Sequence, residues 1–287
     1  MATRKLRLIC ISDTHSHSPG EGYTLPPGDI LLHAGDLTNQ GSLPEAQKAV
    51  SWLEKADYAA KIVVAGNHDL SLDRQYTLKH PGGWKVQPDQ DQLDECRRLV
   101  REAKGVIYLE HESVEVEVKG VRLKVFGSPF SPERGKKQNW AFQYPEGEAK
   151  SLWAAIPPHT DILITHTPPA GHVDASAHWE EGGCLALGEA IATAKPLLHL
   201  CGHCHEGRGA EIIRWGISER EVWQDPGAGS KKTSLLDLTS KKRGEALAKG
   251  SATAAVNASI MAKSWGRGGK AFNKPIVVDI EVPVLPR

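Results

Sequence analysis

Five short apolar runs, each breaking off into candidate metal ligands, constrain this chain more than any other feature. Residues 6–11 (LRLICI) lead into Asp13-Thr14-His15, residues 30–34 (ILLHA) into Gly35-Asp36, and residues 61–65 (KIVVA) into Gly66-Asn67-His68-Asp69. Residues 161–165 (DILIT) then lead into His166, and residues 196–201 (PLLHLC) into Gly202-His203-Cys204-His205. Nearly continuous apolar runs of this length suit strands buried on both faces by covering helices. Ligands of layered α/β proteins bind outside the carboxyl ends of the strands. Five strand ends delivering Asp, His and Asn therefore predict one polar rim.

Helix-like segments at 43–57, 90–104, 148–156 and 185–194 separate the runs, with Ser42 a candidate cap for the first. Residues 113–118 (SVEVEV) and 121–126 (VRLKVF) alternate with period two around Gly120 and predict an antiparallel hairpin. Strands at 254–260 and 275–282 close the chain. An α/β fold with two mixed sheets is expected, as one domain over 1–287. Residues 74–89, with Pro81, Gly82, Gly83 and Pro88, read as a surface loop near the rim. Residues 216–250, rich in Lys, Ser, Gly and Glu, read as a solvated, flexible surface insertion. A basic patch for a nucleic-acid backbone is the sharper alternative there.

Composition narrows the partners. Of 287 residues, 35 are Lys or Arg and 35 Asp or Glu, so the formal net charge is zero. Non-specific grip on nucleic acid needs a surplus of cations, so a nucleic-acid partner is not expected. No stretch approaches the ~20 apolar residues of a membrane span, and the start lacks a secretory-signal pattern. The five cysteines are an odd number in a long chain, which argues against a disulfide framework. A cytoplasmic protein without membrane or protein partner is expected. Cys201 and Cys204 form a lone CxxC, too few ligands for a structural zinc site, and are expected to pack beside the rim. His33 and His199 lie within apolar runs and are expected in the core.

Mixed oxygen and imidazole ligands suit borderline divalent ions such as Mn, Fe or Zn, with Mg a further option. Two such ions bridged by a carboxylate and a hydroxide form a clamp for in-line displacement at phosphorus. A carboxylate can bridge because it has two oxygens, which makes Asp36 the natural bridge. Glycines before Asp36, Asn67 and His203 allow the tight turns such a rim requires.

The ordered set Asp13-x-His15, Gly35-Asp36, Gly66-Asn67-His68-Asp69, His166 and Gly202-His203-Cys204-His205 resembles the calcineurin-like metallophosphoesterase superfamily. It is most similar to the metallophosphoesterase-domain-containing branch. That likeness rests on AGNHDLSLD at 65–73, GSP at 127–129, NWAF at 139–142, THTPP at 165–169, GHCHEGRG at 202–209 and VNAS at 256–259. The resemblance implies a four-layer α/β/β/α sandwich. It further implies one metal on Asp13, His15, Asp36 and His205, and a second on Asp36, Asn67, His166 and His203.

Asn67 and His68 would then meet the substrate. His68 would stabilise phosphoryl oxygens or protonate the leaving alkoxide, a task suited to histidine at neutral pH. His17 and Arg208 are further substrate-binding candidates. The implied activity is phosphodiester hydrolysis on small substrates such as cyclic nucleotides. A monoesterase, a nuclease of the same superfamily and a non-catalytic scaffold are the alternatives. The run Asp36-Leu37-Thr38-Asn39-Gln40-Gly41 lacks the Asp and Arg that follow the bridging Asp in Ser/Thr protein phosphatases. Some other group must therefore support His68, and adjacent Asp69 is the candidate.

Overall fold

The computed structural model describes residues 2–80, 89–134, 140–180, 182–217, 220–263 and 271–284. Strands β1 (Thr3–Ile11), β2 (Ile30–Ala34), β3 (Ala60–Val64) and β4 (Ile107–Leu109) build half of the molecule with β13 (Ser234–Asp237) and β15 (Ile276–Pro283). They form a six-stranded sheet in the order β13-β15-β1-β2-β3-β4. The second sheet contains the hairpin β5 (Glu112–Val118) and β6 (Val121–Ser128), then β9 (Ile162–Thr165) and β10 (Leu198–Cys201). Strands β11 (Gly209–Arg214), β12 (Arg220–Val222) and β14 (Ala252–Asn257) complete it, in the order β12-β11-β14-β10-β9-β6-β5. A short parallel pair, β7 (Ser131–Pro132) and β8 (Gln143–Tyr144), stands apart.

Strand alternation sorts the side chains into layers. Leu6, Leu8 and Cys10 of β1, Ile30 and Leu32 of β2, Ile162 and Ile164 of β9 and Leu198 and Leu200 of β10 share one buried cluster between the sheets. The intervening Ile9, Ile11, Leu31 and Val63 face the other way, onto Ala49 and Leu53 of helix α1 (Leu43–Lys55). Phe126 and Leu163 likewise turn outward, onto Trp153 of α4 (Ala149–Trp153) and Leu187 and Ile191 of α5 (Leu185–Ala194). The result is the expected α/β/β/α stack. Each buried Leu or Ile contributes roughly 1.5–3 kcal/mol relative to exposure, and cutting Leu32 to Ala would cost about 2–5 kcal/mol.

Local chemistry fixes where the helices begin. At α1 the Ser42 N–H donates to the Glu45 carboxylate at 3.0 Å, which also takes the Asn39 N–H and the Ser16 hydroxyl. One acidic side chain thus ties the helix start to the loops that follow β1 and β2. Two expectations need correction. Residues 74–79 are not loop but a helix, α2 (Arg74–Lys79), whose cap Asp73 accepts from Tyr76 N at 2.9 Å. Residues 81–88 of that expected loop lie outside the described residues; Asp89 caps α3 (Gln90–Arg101), accepting from Gln92 N at 2.8 Å.

The segment 216–250 is in part structural rather than an insertion standing off the fold. It supplies β12, β13 and the short helix α6 (Ser240–Arg243), and it buries Leu236, Leu238 and Leu247 in the inter-sheet core. The apolar run at 234–238 is only five residues long and sits among lysines and glycines, so average composition conceals it.

Candidate metal centre

Strands β1, β2 and β3 run parallel in one sheet, and β9, β10 and β14 run parallel in the other. Their carboxyl ends meet. Ser12 N donates to Ala258 O at 3.0 Å and Ile260 N to Ser12 O at 2.8 Å, joining the ends of β1 and β14. Asp13 N donates to Gly35 O at 2.9 Å, and Gly202 N to His166 O at 3.0 Å. These main-chain bonds bring residues from five strand ends to one buried rim.

The backbone there is unusual. Asp13, His15, Asp36 and His203 all have positive φ, at 53°, 42°, 55° and 65°. Left-handed conformations cost a non-glycine residue about 1–3 kcal/mol, and the rim's hydrogen bonds hold them. Two glycines are required by close approach. A Cβ on Gly66 would collide with the Asp36 carboxylate and the His166 ring, and one on Gly202 with Ser12 and the Asp13 carboxylate.

The side chains gather around two carboxylates. His205 Nε2 stands 3.3 Å from Asp13 Oδ1 and 3.3 Å from His15 Nε2. Asp36 presents Oδ2 to His15 Nε2 at 3.6 Å and Oδ1 to His166 Nε2 at 3.5 Å. Asn67 Oδ1 lies 2.9 Å from His166 Nε2. The His203 ring meets His166 edge-on at 4.9 Å between centroids, while the main-chain N–H of His203 donates to both Asp13 oxygens at 3.1 Å. Three overlapping triads offer ligand atoms within 4.8 Å of one another: Asp13-His15-His205, His15-Asp36-His68 and Asp13-Asp36-His166.

The donor chemistry fits bound cations. His166 Nδ1 lies 2.9 Å from Ala34 O and His205 Nδ1 2.9 Å from Lys263 O, so both rings commit the Nδ1 proton to a carbonyl. In a neutral ring, Nε2 is then a bare lone pair, yet it faces carboxylate, amide-oxygen or imidazole lone pairs. Such an arrangement demands a proton or a metal between the groups. Burial alone would push both histidines down, but Asp36 for His166 and Asp13 for His205 outweigh it and raise both to about 9. His15 and His203 go the other way, lowered to about 3 chiefly by burial, and remain neutral donors. Burial also opposes ionisation of Asp13 and Asp36, but neighbouring histidines pull both below the usual carboxylate range.

His68 is half-buried at the mouth. Its N–H donates to Asp36 Oδ1 at 2.8 Å, its Nδ1 lies 2.8 Å from Asn39 O, and the Trp140 ring packs against it at 4.2 Å. Asp69 does not support the ring. Its carboxylate accepts instead from Gly66 N, Thr38 N and Leu37 N at 2.8, 2.9 and 3.2 Å, and from the Thr38 hydroxyl at 2.7 Å.

His17 and Arg208, the further substrate-binding candidates, lie outside the ligand cluster. His17 lies outside the three triads, its Nδ1 3.0 Å from Thr14 O and its ring against Phe272. Arg208 braces the loop beyond the last ligand: Nη1 donates to Asp225 at 2.9 Å and Nη2 to Lys274 O at 2.9 Å. His33, His199, Cys201 and Cys204 are fully buried, as expected of packing groups.

Comparison with known proteins places the chain in a family. The family profile described as calcineurin-like phosphoesterase matches residues 6–207, which takes in every ligand candidate. The chain belongs to the calcineurin-like phosphoesterase family. Metallophosphoesterase domain-containing protein 1 of Homo sapiens is 36% identical over 214 residues, covering 71% of this chain and 61% of that protein. The probable rhamnogalacturonate lyase C of Emericella nidulans is 40% identical over 218 residues, 75% of this chain but 18% of that protein. The chain thus spans less than two thirds of the length of either relative. The phosphopantetheinyl hydrolase of Mycobacterium tuberculosis superposes with a TM-score of 0.44 at 18% identity, covering 74% of this chain and 86% of that one.

Several groups at this rim carry no role in the sequence reading. The Ser259 hydroxyl donates to Asp13 Oδ2 at 2.8 Å, and Asn257 Nδ2 donates to Cys204 O at 2.8 Å, bracing the ligand loop. VNAS at 256–259 was the available signal, since two hydrogen-bonding side chains directly follow an apolar run. Trp179 stacks on His203 at 5.1 Å and 20°; nothing in its local sequence marks it. The Asn39 carbonyl that holds His68 is main chain and leaves no trace in residue identity.

Proposed function

We propose that the chain is a metal-dependent phosphoesterase that holds two divalent ions and hydrolyses small phosphodiesters. The observation that carries this reading is the placement of Asp36. Its two oxygens face histidines from opposite sheets, His15 after β1 and His166 after β9, at 3.6 and 3.5 Å. One carboxylate can therefore serve two sites, with Asp13, His15 and His205 completing one and Asn67, His166 and His203 the other. When bound, such a pair supplies Lewis acidity toward phosphoryl oxygens and a nucleophile at neutral pH.

The chain's own residues do the rest. In this reading Asn67 and His68 would meet the phosphoryl group. With Nδ1 held by Asn39 O, His68 has Nε2 left to donate to a phosphoryl oxygen or to the leaving alkoxide. Trp140 limits rotation of that ring and keeps water from one of its faces. The diester preference is what the resemblance to the metallophosphoesterase-domain-containing branch implies, and a neutral net charge suits a small substrate. Manganese, iron or zinc suits the mixed donor set.

Metal analysis paired with hydrolysis of bis(4-nitrophenyl) phosphate, with manganese added, tests the reading. About two ions per chain with turnover is the expected result. Turnover of 4-nitrophenyl phosphate alone would reassign the enzyme as a monoesterase, and no metal with no turnover would end the proposal.

A further inference from the structure

Beside the rim, a cavity of about 580 Å³ is lined by Tyr23, Lys231, Lys232, Ser234, Phe272 and Lys274. It is a different space from the metal cluster, joined to it by contacts of its lining residues. Phe272 packs edge-on against His17 at 4.9 Å, and the Tyr23 hydroxyl donates to His17 O at 3.1 Å, two residues beyond His15. From the other side, Arg208 reaches from the last ligand loop to Lys274 O at 2.9 Å and to the Ser234 hydroxyl at 3.3 Å. The same segment is tied to Asp13, because Asn273 Nδ2 donates to Ser259 O at 3.0 Å and Ser259 binds Asp13.

The charge on this cavity is one-sided. The Lys274 ammonium donates to the carbonyls of Gly227, Ser230 and Lys232, a cation fixed in place by dipoles and not by a carboxylate. Lys231 and Lys232 are exposed, and no carboxylate among the described residues pairs with either. The acid held in this loop, Asp225, is neutralised by Arg208 at 2.9 Å and accepts from the Ser234 hydroxyl at 2.9 Å. In a chain with zero formal charge, three unbalanced ammonium groups around one cavity are a local excess. The aromatic faces of Tyr23 and Phe272 add an apolar wall.

We propose that this cavity is a substrate subsite that takes an oxyanion group, carried on an aromatic or other flat organic part of the phosphate ester. The proposal deepens the phosphoesterase reading and rests on it. The reacting phosphate would sit at the metal rim, and the second anion would reach past His17 to the lysines. Substrates with a second negative charge are then favoured over those with none.

The test compares wild type with the Lys231→Glu/Lys232→Glu double variant, both exposed positions, on bis(4-nitrophenyl) phosphate and bis(4-carboxyphenyl) phosphate with manganese. The ratio of kcat/KM for the carboxylated diester over the nitro diester is expected to fall about tenfold in the variant, mainly through KM. The difference should shrink in 1 M salt, where screening acts within about 3 Å. A ratio that differs by less than twofold from wild type would overturn the subsite. If wild type turns over neither diester, the phosphodiesterase reading fails, and calorimetric titration of the chelator-treated protein with terephthalate judges the cavity separately. Heat in wild type that is lost in the variant supports the subsite, and matching heats overturn it.

Discussion

The ring of His68 is positioned by the main-chain carbonyl of Asn39, 2.8 Å from Nδ1, and not by the carboxylate of its neighbour Asp69. A neutral carbonyl fixes the tautomer and orientation of an imidazole, as a carboxylate would, but it adds no negative charge to stabilise the protonated ring. Asp69 is spent on holding together the loops after β2 and β3, and so acts on the rim's shape. The two adjacent residues divide the labour. One faces the mouth and the other anchors the turn that presents it.

For His68 this division predicts a clean separation of rate from metal content. His68→Ala should lower kcat on a phosphodiester by about 10²–10⁴, the range for lost acid catalysis or charge stabilisation. Metal occupancy should stay near that of wild type. Steady-state kinetics with elemental analysis of the same sample checks both, and wild-type turnover would remove His68 from the chemistry.

Asp36 should behave differently, because its two oxygens serve two groups. Asp36→Ala is expected to abolish turnover and to lower occupancy at both metals together. Asp13→Ala, on one side of the cluster, should deplete one ion more than the other. Elemental analysis after dialysis distinguishes the cases, and a fully loaded Asp36 variant would contradict the shared carboxylate.

Asp69→Ala leaves three buried main-chain donors, on Gly66, Thr38 and Leu37, without their acceptor. Each orphaned donor costs about 1–3 kcal/mol, partly recovered where water enters the gap. A net loss of about 3 kcal/mol or more in urea unfolding is expected, with weakened metal binding because Gly66 precedes Asn67. Asp69→Asn, which keeps one acceptor oxygen, should lose less. A stability change under about 0.5 kcal/mol in the alanine variant would show that the loops hold without it.

How much of this was legible in the sequence differs by layer. Runs such as 30–34 and 185–194 coincide with β2 and α5 to the residue, because apolar continuity and a following polar turn are strong local signals. The meeting of the five strand ends was readable from motif order, since parallel strands in layered sheets end on a common side. What residue identity could not encode was who touches whom. Arg208 stands close to the last ligand in the chain, but its reach to Asp225 depends on a loop 17 residues further on. Residues 234–237 become a strand only because β15 offers a parallel edge, with Leu236 opposite Val278. Both are tertiary decisions.

The last prediction concerns acid stability far from the rim. Asp279 on β15 lies directly opposite Arg7 on β1, accepting from Arg7 Nε and Nη2 at 2.8 and 2.9 Å with Lys5 Nζ at 2.5 Å. Burial would raise this carboxyl, but its bonds to Arg7 and Lys5 outweigh burial and hold it below the ordinary aspartate range. A depressed folded pKa means that the contribution is full above the unfolded value, near 3.9. It is lost as pH falls from there through the folded value. Asp279→Asn should therefore cost about 1–2 kcal/mol at pH 7, discounted because Arg7 and Lys5 are partly exposed. That gap should narrow steadily below about pH 4. Denaturant unfolding of both proteins at pH 7 and pH 3 measures it, and a gap of equal size at the two pH values would show that the pair is not the source.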